Sequence, residues 1–232
     1  MKKKFELPRR GLIISCQAAE GEPLYGLHLM RYMAKAAAAG GAVAIRALAE
    51  EIPEIKAETG LPVIGLVKRK YADSAIYITP TRKEIDEVLA SGADVIAMDA
   101  TARPRPNGET LKELVAYARK NSGAYLMADI DTLENAIEAE RLGFDFVGTT
   151  LRSYTEETKG VSVPDYDFLR KLSAALKRSR LIAEGGIWET GQLEQVMRCG
   201  PYAVVIGTAV TRPKDITERF MRAMTDHDVE RT

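Results

Sequence analysis

Short, nearly continuous apolar runs recur at regular intervals along the chain. They occupy residues 12–16, 42–47, 63–68, 95–100, 125–130, 146–150, 181–185 and 203–208. Their Val, Ile, Ala and Gly content suits parallel strands covered on both faces. Between them the apolar spacing turns helical, over residues 28–39, 52–58, 81–90, 108–120, 132–141, 166–178, 190–198 and 215–225. Gly-containing stops close several of these stretches: Gly40-Gly41, Gly60, Ser91-Gly92 and Gly143. Strand and helix in strict alternation predict a (β/α)8 TIM barrel, class α/β, with right-handed crossovers. A doubly wound open sheet is the alternative. Neither a strand-following GxGxxG nor a P-loop signature is present to support a nucleotide fold.

The chain has 232 residues, so such a barrel uses nearly all of it as one domain, 1–232. The 33 Lys and Arg balance 33 Asp and Glu. That balance argues against a nucleic-acid partner, which calls for a basic excess. No apolar stretch approaches the ~18 residues needed to span a bilayer, so no membrane association is expected. The N-terminus lacks an apolar signal core, which points to a cytoplasmic protein. Two cysteines do not make a disulfide framework.

A TIM barrel carries its site at the carboxyl ends of the strands. The runs end in polar groups: Ser15-Cys16-Gln17, Arg46, Lys68-Arg69, Asp99, Asp129, Thr149-Thr150, Glu184-Gly185-Gly186 and Gly207-Thr208. Ordinary turn residues or a satisfied ion pair explain any one of these, but not the whole set. The last two ends fit phosphate, because Gly185, Gly186, Gly207 and Thr208 offer backbone N–H groups after strands seven and eight. Arg212 adds a charge-assisted contact.

Lys68 and Glu184 belong to strands that face each other across the mouth. A Lys base needs a lowered pKa, through desolvation or nearby cations such as Arg46 and Arg69. Pairing with Glu184 would act the other way, and a buried Lys68–Glu184 pair is the plain structural alternative. No strand end carries a His, so no metal is expected: His28 falls on the first helix and His227 in the tail. A two-cysteine racemase site would require Cys16 and Cys199 together, yet Cys199 falls by a helix stop on the other face. Trp188 either walls the pocket or packs, and the loop around Tyr154 is long enough to act as a lid.

Several segments resemble the N-acetylmannosamine-6-phosphate 2-epimerase family. They are 11–17 (GLIISCQ), 42–46 (AVAIR), 62–69 (PVIGLVKR), 78–80 (ITP), 99–106 (DATARPRP), 127–129 (MAD), 148–155 (GTTLRSYT), 182–185 (IAEG) and 207–212 (GTAVTR). The resemblance runs in order through essentially the whole chain. It implies a (β/α)8 enzyme of sialic acid breakdown that interconverts two N-acetylhexosamine 6-phosphates without a cofactor. It implies Lys68 as catalytic acid/base and Glu184 as its partner. It further implies Gln17, Arg46, Asp129 and Arg152 as substrate contacts, and Gly186, Gly207 and Arg212 as phosphate contacts. Ala100 departs from a Gly common in relatives.

The implied chemistry removes a proton alpha to the aldehyde of the open-chain sugar, stabilises the enolate and returns the proton on the other face. Lys68 working both faces, or Lys68 and Glu184 working one each, both remain open. Two other classes compete: a Schiff-base phosphosugar lyase using Lys68, and a non-catalytic phosphosugar sensor. The expected partner is a small phosphosugar. A homodimer is expected because small barrels commonly pair.

Overall fold

The structure, a computed structural model, describes residues 7–18 and 20–226. Its parallel strands are β1 (Gly11–Cys16), β2 (Ala44–Leu48), β3 (Val63–Leu66), β4 (Val95–Asp99), β5 (Tyr125–Asp129), β6 (Phe146–Gly148), β7 (Arg180–Glu184) and β8 (Ala203–Ile206). They close in sequence order into a barrel, with β1 pairing β8 from Gly11↔Ala203 to Ile14↔Ile206. The helices are α1 (Met30–Ala39), α2 (Ile52–Thr59), α3 (Arg82–Ala90), α4 (Leu111–Asn121), α5 (Leu133–Leu142), α6 (Tyr166–Ala175), α7 (Thr190–Arg198), α8 (Thr208–Thr211) and α9 (Pro213–Asp226). The expected (β/α)8 barrel is therefore present. No helix among the described residues is long and apolar enough to cross a membrane.

Strand alternation builds two cores. Ile13, Ala44, Ile64, Leu66, Val95, Ala97, Met127, Phe146, Ile182, Ala203 and Val205 point inward and fill the barrel. Their neighbours Ile96, Met98, Leu126, Ala128, Val147, Leu181 and Ala183 point outward and pack beneath the helices. Leu7 plugs the amino-terminal end, where its carbonyl accepts a 2.6 Å bond from the Tyr202 hydroxyl. The inward parity continues past each apolar layer. After Ile13 it reaches Ser15 and Gln17; after Ala44, Arg46; after Leu66, Lys68; after Met127, Asp129; after Ile182, Glu184.

Four local features differ from the sequence reading. The third strand ends at Leu66, and Lys68 instead makes an antiparallel bridge with Ile78. The eighth strand ends at Ile206 and gives way at Gly207 to the short helix α8, whose first residue, Thr208, falls in the stretch read as strand. The sixth helix stops at Ala175 because Leu176 adopts an extended backbone. His28 sits in a positive-φ turn ahead of α1 rather than on it. His227 lies outside the described residues.

Candidate active site

A cavity of about 670 Å³ opens at the carboxyl ends of the strands. Its lining includes Gln17, Arg46, Lys68, Glu184, Gly185, Gly186, Gly207, Thr208 and Arg212. The barrel therefore brings most of the sequence-expected site residues around one space.

Arg46 organises the floor. Its guanidinium is buried and donates to Asp129 twice, Nη1 to Oδ1 at 2.9 Å and Nη2 to Oδ2 at 2.7 Å. Nη1 also lies 3.3 Å from Glu184 Oε2. This triangle reaches from β2 to β5 and β7 through the barrel interior. Gly148 leaves room for it, since a Cβ there would meet Met127 Cε at 2.4 Å and Asp129 Oδ1 at 3.5 Å. The Arg46 pKa is raised by both carboxylates in spite of its burial. The Thr150 hydroxyl joins the triangle, 2.7 Å from Asp129 Oδ1 and 3.0 Å from Glu184 Oε2.

Lys68 stands apart from this network. Among the described residues its ammonium is within ion-pair distance of no carboxylate. Desolvation by the cavity walls, then the charges of Arg46 and Arg212, lower its pKa to about 8; Glu184 and Glu22 act weakly the other way. Its side chain keeps surface open to the cavity, so entry of a substrate completes that desolvation. Glu184 is shifted in the opposite sense. Its pKa is raised by burial first and also by Asp129, against the pull of Arg46.

The residues expected to hold phosphate also border the cavity. Gly186 has φ +72°, and a Cβ there would lie 2.3 Å from the Val163 carbonyl oxygen, so only glycine fits. Gly207 precedes α8, whose first N–H groups have no partner within the helix. Arg212 follows that helix, with Nη2 3.1 Å from Glu22 Oε1.

Three expected residues lie elsewhere. Asp129 is fully buried and holds Arg46 from behind rather than lining the cavity. Arg152 donates Nε and Nη2 to Asp165 at 3.1 and 2.9 Å and stacks 4.2 Å over the Phe168 ring. It borders a side pocket of about 10 Å³ and not the main cavity. Arg69, expected to lower the Lys68 pKa, turns to Glu84 and Glu87 on α3, because strand alternation sends it away from Lys68. Arg212 supplies that positive charge instead.

Other cavity residues were not singled out as a site. Tyr77 comes from the hairpin-like excursion after β3, and Gln192, Asp215 and Arg219 come from α7 and α9. Strand-end reasoning does not reach helix side chains, so no local signal marked the last three. Trp188 and Tyr154 also line the cavity, and Tyr154 is 68% exposed on the loop after β6.

The two-cysteine arrangement is not built. Burial pushes the Cys16 thiol up to about 12, among the outward-facing residues under α1. Cys199 follows α7. Among the described residues, His28, Glu51 and Glu54 could together hold a metal ion, their ligand atoms lying within 4.8 Å of one another. None of them lines the cavity, and Arg31 Nη1 already stands 3.1 Å from Glu54 Oε2.

A closed parallel barrel with an acid, a base and a cationic wall at its carboxyl end defines a TIM-barrel protein built to handle a small anionic molecule. The chain belongs to the N-acetylmannosamine-6-phosphate epimerase family: the profile described as "Putative N-acetylmannosamine-6-phosphate epimerase" matches residues 30–226. A "Putative N-acetylmannosamine-6-phosphate 2-epimerase" of Clostridioides difficile is 50% identical over 214 residues, covering 92% of this chain and 95% of that one. Its namesake from Staphylococcus carnosus is 49% identical over 221 residues, covering 94% and 98%. The solved structure of the N-acetylmannosamine-6-phosphate 2-epimerase from Clostridium perfringens superposes with a TM-score of 0.89 at 48% identity, covering 93% of each chain. Thiamine phosphate pyrophosphorylase from Pyrococcus furiosus, at 19% identity and TM-score 0.60, shares the fold alone.

Proposed function

We propose that this protein is an isomerase that interconverts N-acetylmannosamine 6-phosphate and N-acetylglucosamine 6-phosphate by removing and returning the C2 proton. Membership of the family supports the activity. The observation that carries the mechanism is the placement of charges: Arg46 holds Asp129 and stands beside Glu184, while among the described residues no carboxylate lies within ion-pair distance of Lys68, whose pKa is lowered to about 8. A lysine in that state is a competent base near neutral pH.

In this reading the open-chain sugar enters with its phosphate on Gly185, Gly186, Gly207, Thr208 and Arg212. Gln17 and Arg46 contact the sugar. The neutral Lys68 amine takes the C2 proton, and the electron pair moves into the C1 carbonyl to give an enolate. Cationic neighbours stabilise the oxyanion. Glu184, across the mouth on β7, returns a proton to the opposite face of C2. Asp129 acts through Arg46, and Arg152 through the loop that Asp165 anchors. The barrel would form one domain over 1–232 and operate in the cytoplasm as a homodimer. The exposed Phe220 and Met224, one turn apart on α9, support the pairing.

Proton NMR of N-acetylmannosamine 6-phosphate in deuterated water tests the reading. Wild type is expected to convert the sugar and load deuterium at C2. Lys68→Ala is expected to lose both. Wild-type exchange in Lys68→Ala would remove Lys68 from its role, and a borohydride-trapped adduct on Lys68 would favour a lyase.

A further inference from the structure

The Thr150 side chain sits between two carboxyl groups with only one hydrogen to give. Its Oγ is 2.7 Å from Asp129 Oδ1 and 3.0 Å from Glu184 Oε2. A threonine hydroxyl has one O–H donor and two acceptor lone pairs. If both acids were ionised, one of those contacts would set lone pair against lone pair in a partly buried site, which is costly. Both contacts become hydrogen bonds only if one acid carries a proton.

The geometry decides which acid that is. Asp129 receives two N–H groups from Arg46 at 2.9 and 2.7 Å, a bidentate arrangement that favours the carboxylate. Glu184 Oε2 has Arg46 Nη1 no nearer than 3.3 Å, and that nitrogen already donates to Asp129. The charged groups that face Glu184 are Arg46, Asp129 and Lys68. We infer that Thr150 is a positioning residue that accepts from a protonated Glu184 and donates to an ionised Asp129, so that the resting site holds Glu184 as a neutral acid. Burial and the charge of Asp129 push the Glu184 pKa in the same direction.

The bearing of this on catalysis rests on the reading above; the protonation state itself does not. When Glu184 gives its proton to C2, its O–H bond breaks and the carboxylate keeps the pair. The Thr150 O–H then turns from Asp129 toward Glu184, and Asp129 retains both bonds from Arg46. Exchange with water later returns a proton to Glu184 and removes the one that Lys68 took. One rotating hydroxyl thus serves both states of the acid.

Infrared difference spectroscopy of the substrate-free protein tests the inference without reference to turnover. At neutral pH, wild type minus Glu184→Gln is expected to show a carboxylic-acid C=O band. In Thr150→Val that band is expected to move to higher frequency or vanish, because its hydrogen-bond acceptor is gone. Thr150→Ser, which keeps the hydroxyl, is expected to restore the wild-type frequency and also serves if the valine variant fails to fold. In kinetics, Thr150→Val is expected to lower kcat by at least tenfold with KM changed less, and Thr150→Ser to recover it. Absence of a Glu184 acid band in wild type would overturn the inference. So would a band that is shifted in Thr150→Ser as well. A Glu184 band in a protein that turns over no amino sugar phosphate would leave this inference standing and remove the functional reading.

Discussion

Glu184 Oε2 lies 3.3 Å from Arg46 Nη1, and Arg46 is held from its other side by Asp129. The buried cation therefore depends on Asp129 far more than on Glu184. Asp129→Asn leaves the Arg46 charge without its bidentate partner in the barrel interior. Breaking a buried pair from one side costs about 3–5 kcal/mol. Urea unfolding is expected to show a loss of that order for Asp129→Asn and a clearly smaller one for Glu184→Gln. Equal losses would mean that Glu184 shares the structural task.

The lowered Lys68 pKa favours activity near neutral pH and costs stability there, and both rise with pH. Its folded value of about 8 lies below the ordinary 10.5. The rate constant kcat is expected to rise with pH through that region as the amine loses its proton. Arg212 is one of the charges that lower it, so Arg212→Gln is expected to move this limb to higher pH and to raise KM through the phosphate. For stability, the unfolded chain holds its proton up to higher pH, so folding gains between about 8 and 10.5 and the gain is lost as pH falls through 8. Lys68→Met is therefore expected to melt above wild type at pH 7, with the gap closing as pH rises. Its kcat is expected to drop by about 10²–10⁴. A wild-type melting temperature that ignores pH over this range would contradict the shift.

Period-two alternation made much of the site legible. Once the strands are placed, Gln17, Arg46, Lys68 and Glu184 are the inward positions just past the apolar layers. Register between distant strands was not legible, and there the reading failed. Asp129 shares the inward parity, yet Arg46 reaches from β2 to β5 and covers it. Arg69 follows Lys68 in sequence and for that reason faces away from it, toward Glu84. Arg212 takes its place because α8 turns the chain back over β1, where the Thr211 hydroxyl donates to the Ser15 carbonyl at 2.8 Å. A four-residue helix has too few positions to show a period.

Gly186 offers a test of the proposed phosphate contacts that leaves Lys68 and Glu184 in place. A methyl group there would meet the Val163 carbonyl at 2.3 Å, and the backbone is at φ +72°. The segment after β7 must shift to admit it. Gly186→Ala is expected to raise KM by tenfold or more with a smaller change in kcat. It is also expected to weaken inorganic phosphate as a competitive inhibitor. Unchanged phosphate inhibition would place the phosphate elsewhere in the cavity.

The α9 helix carries three exposed apolar side chains. Phe220 is 69% exposed, Met224 67% and Met221 53%. Phe220 and Met224 are one turn apart and form a contiguous stripe. Arg219, in the same turn, lines the cavity, where its guanidinium sits 5.1 Å over the Trp188 ring. Pairing through this helix would therefore stiffen one wall of the site. Sedimentation of wild type is expected to show a dimer, and Phe220→Glu with Met224→Glu is expected to shift it to monomer. KM is expected to rise in that variant while the pH limb of Lys68 stays where it is, because the charges that set the Lys68 pKa, Arg46, Arg212, Glu184 and Glu22, lie outside α9. A double variant that remains dimeric would move the interface to another face of the barrel.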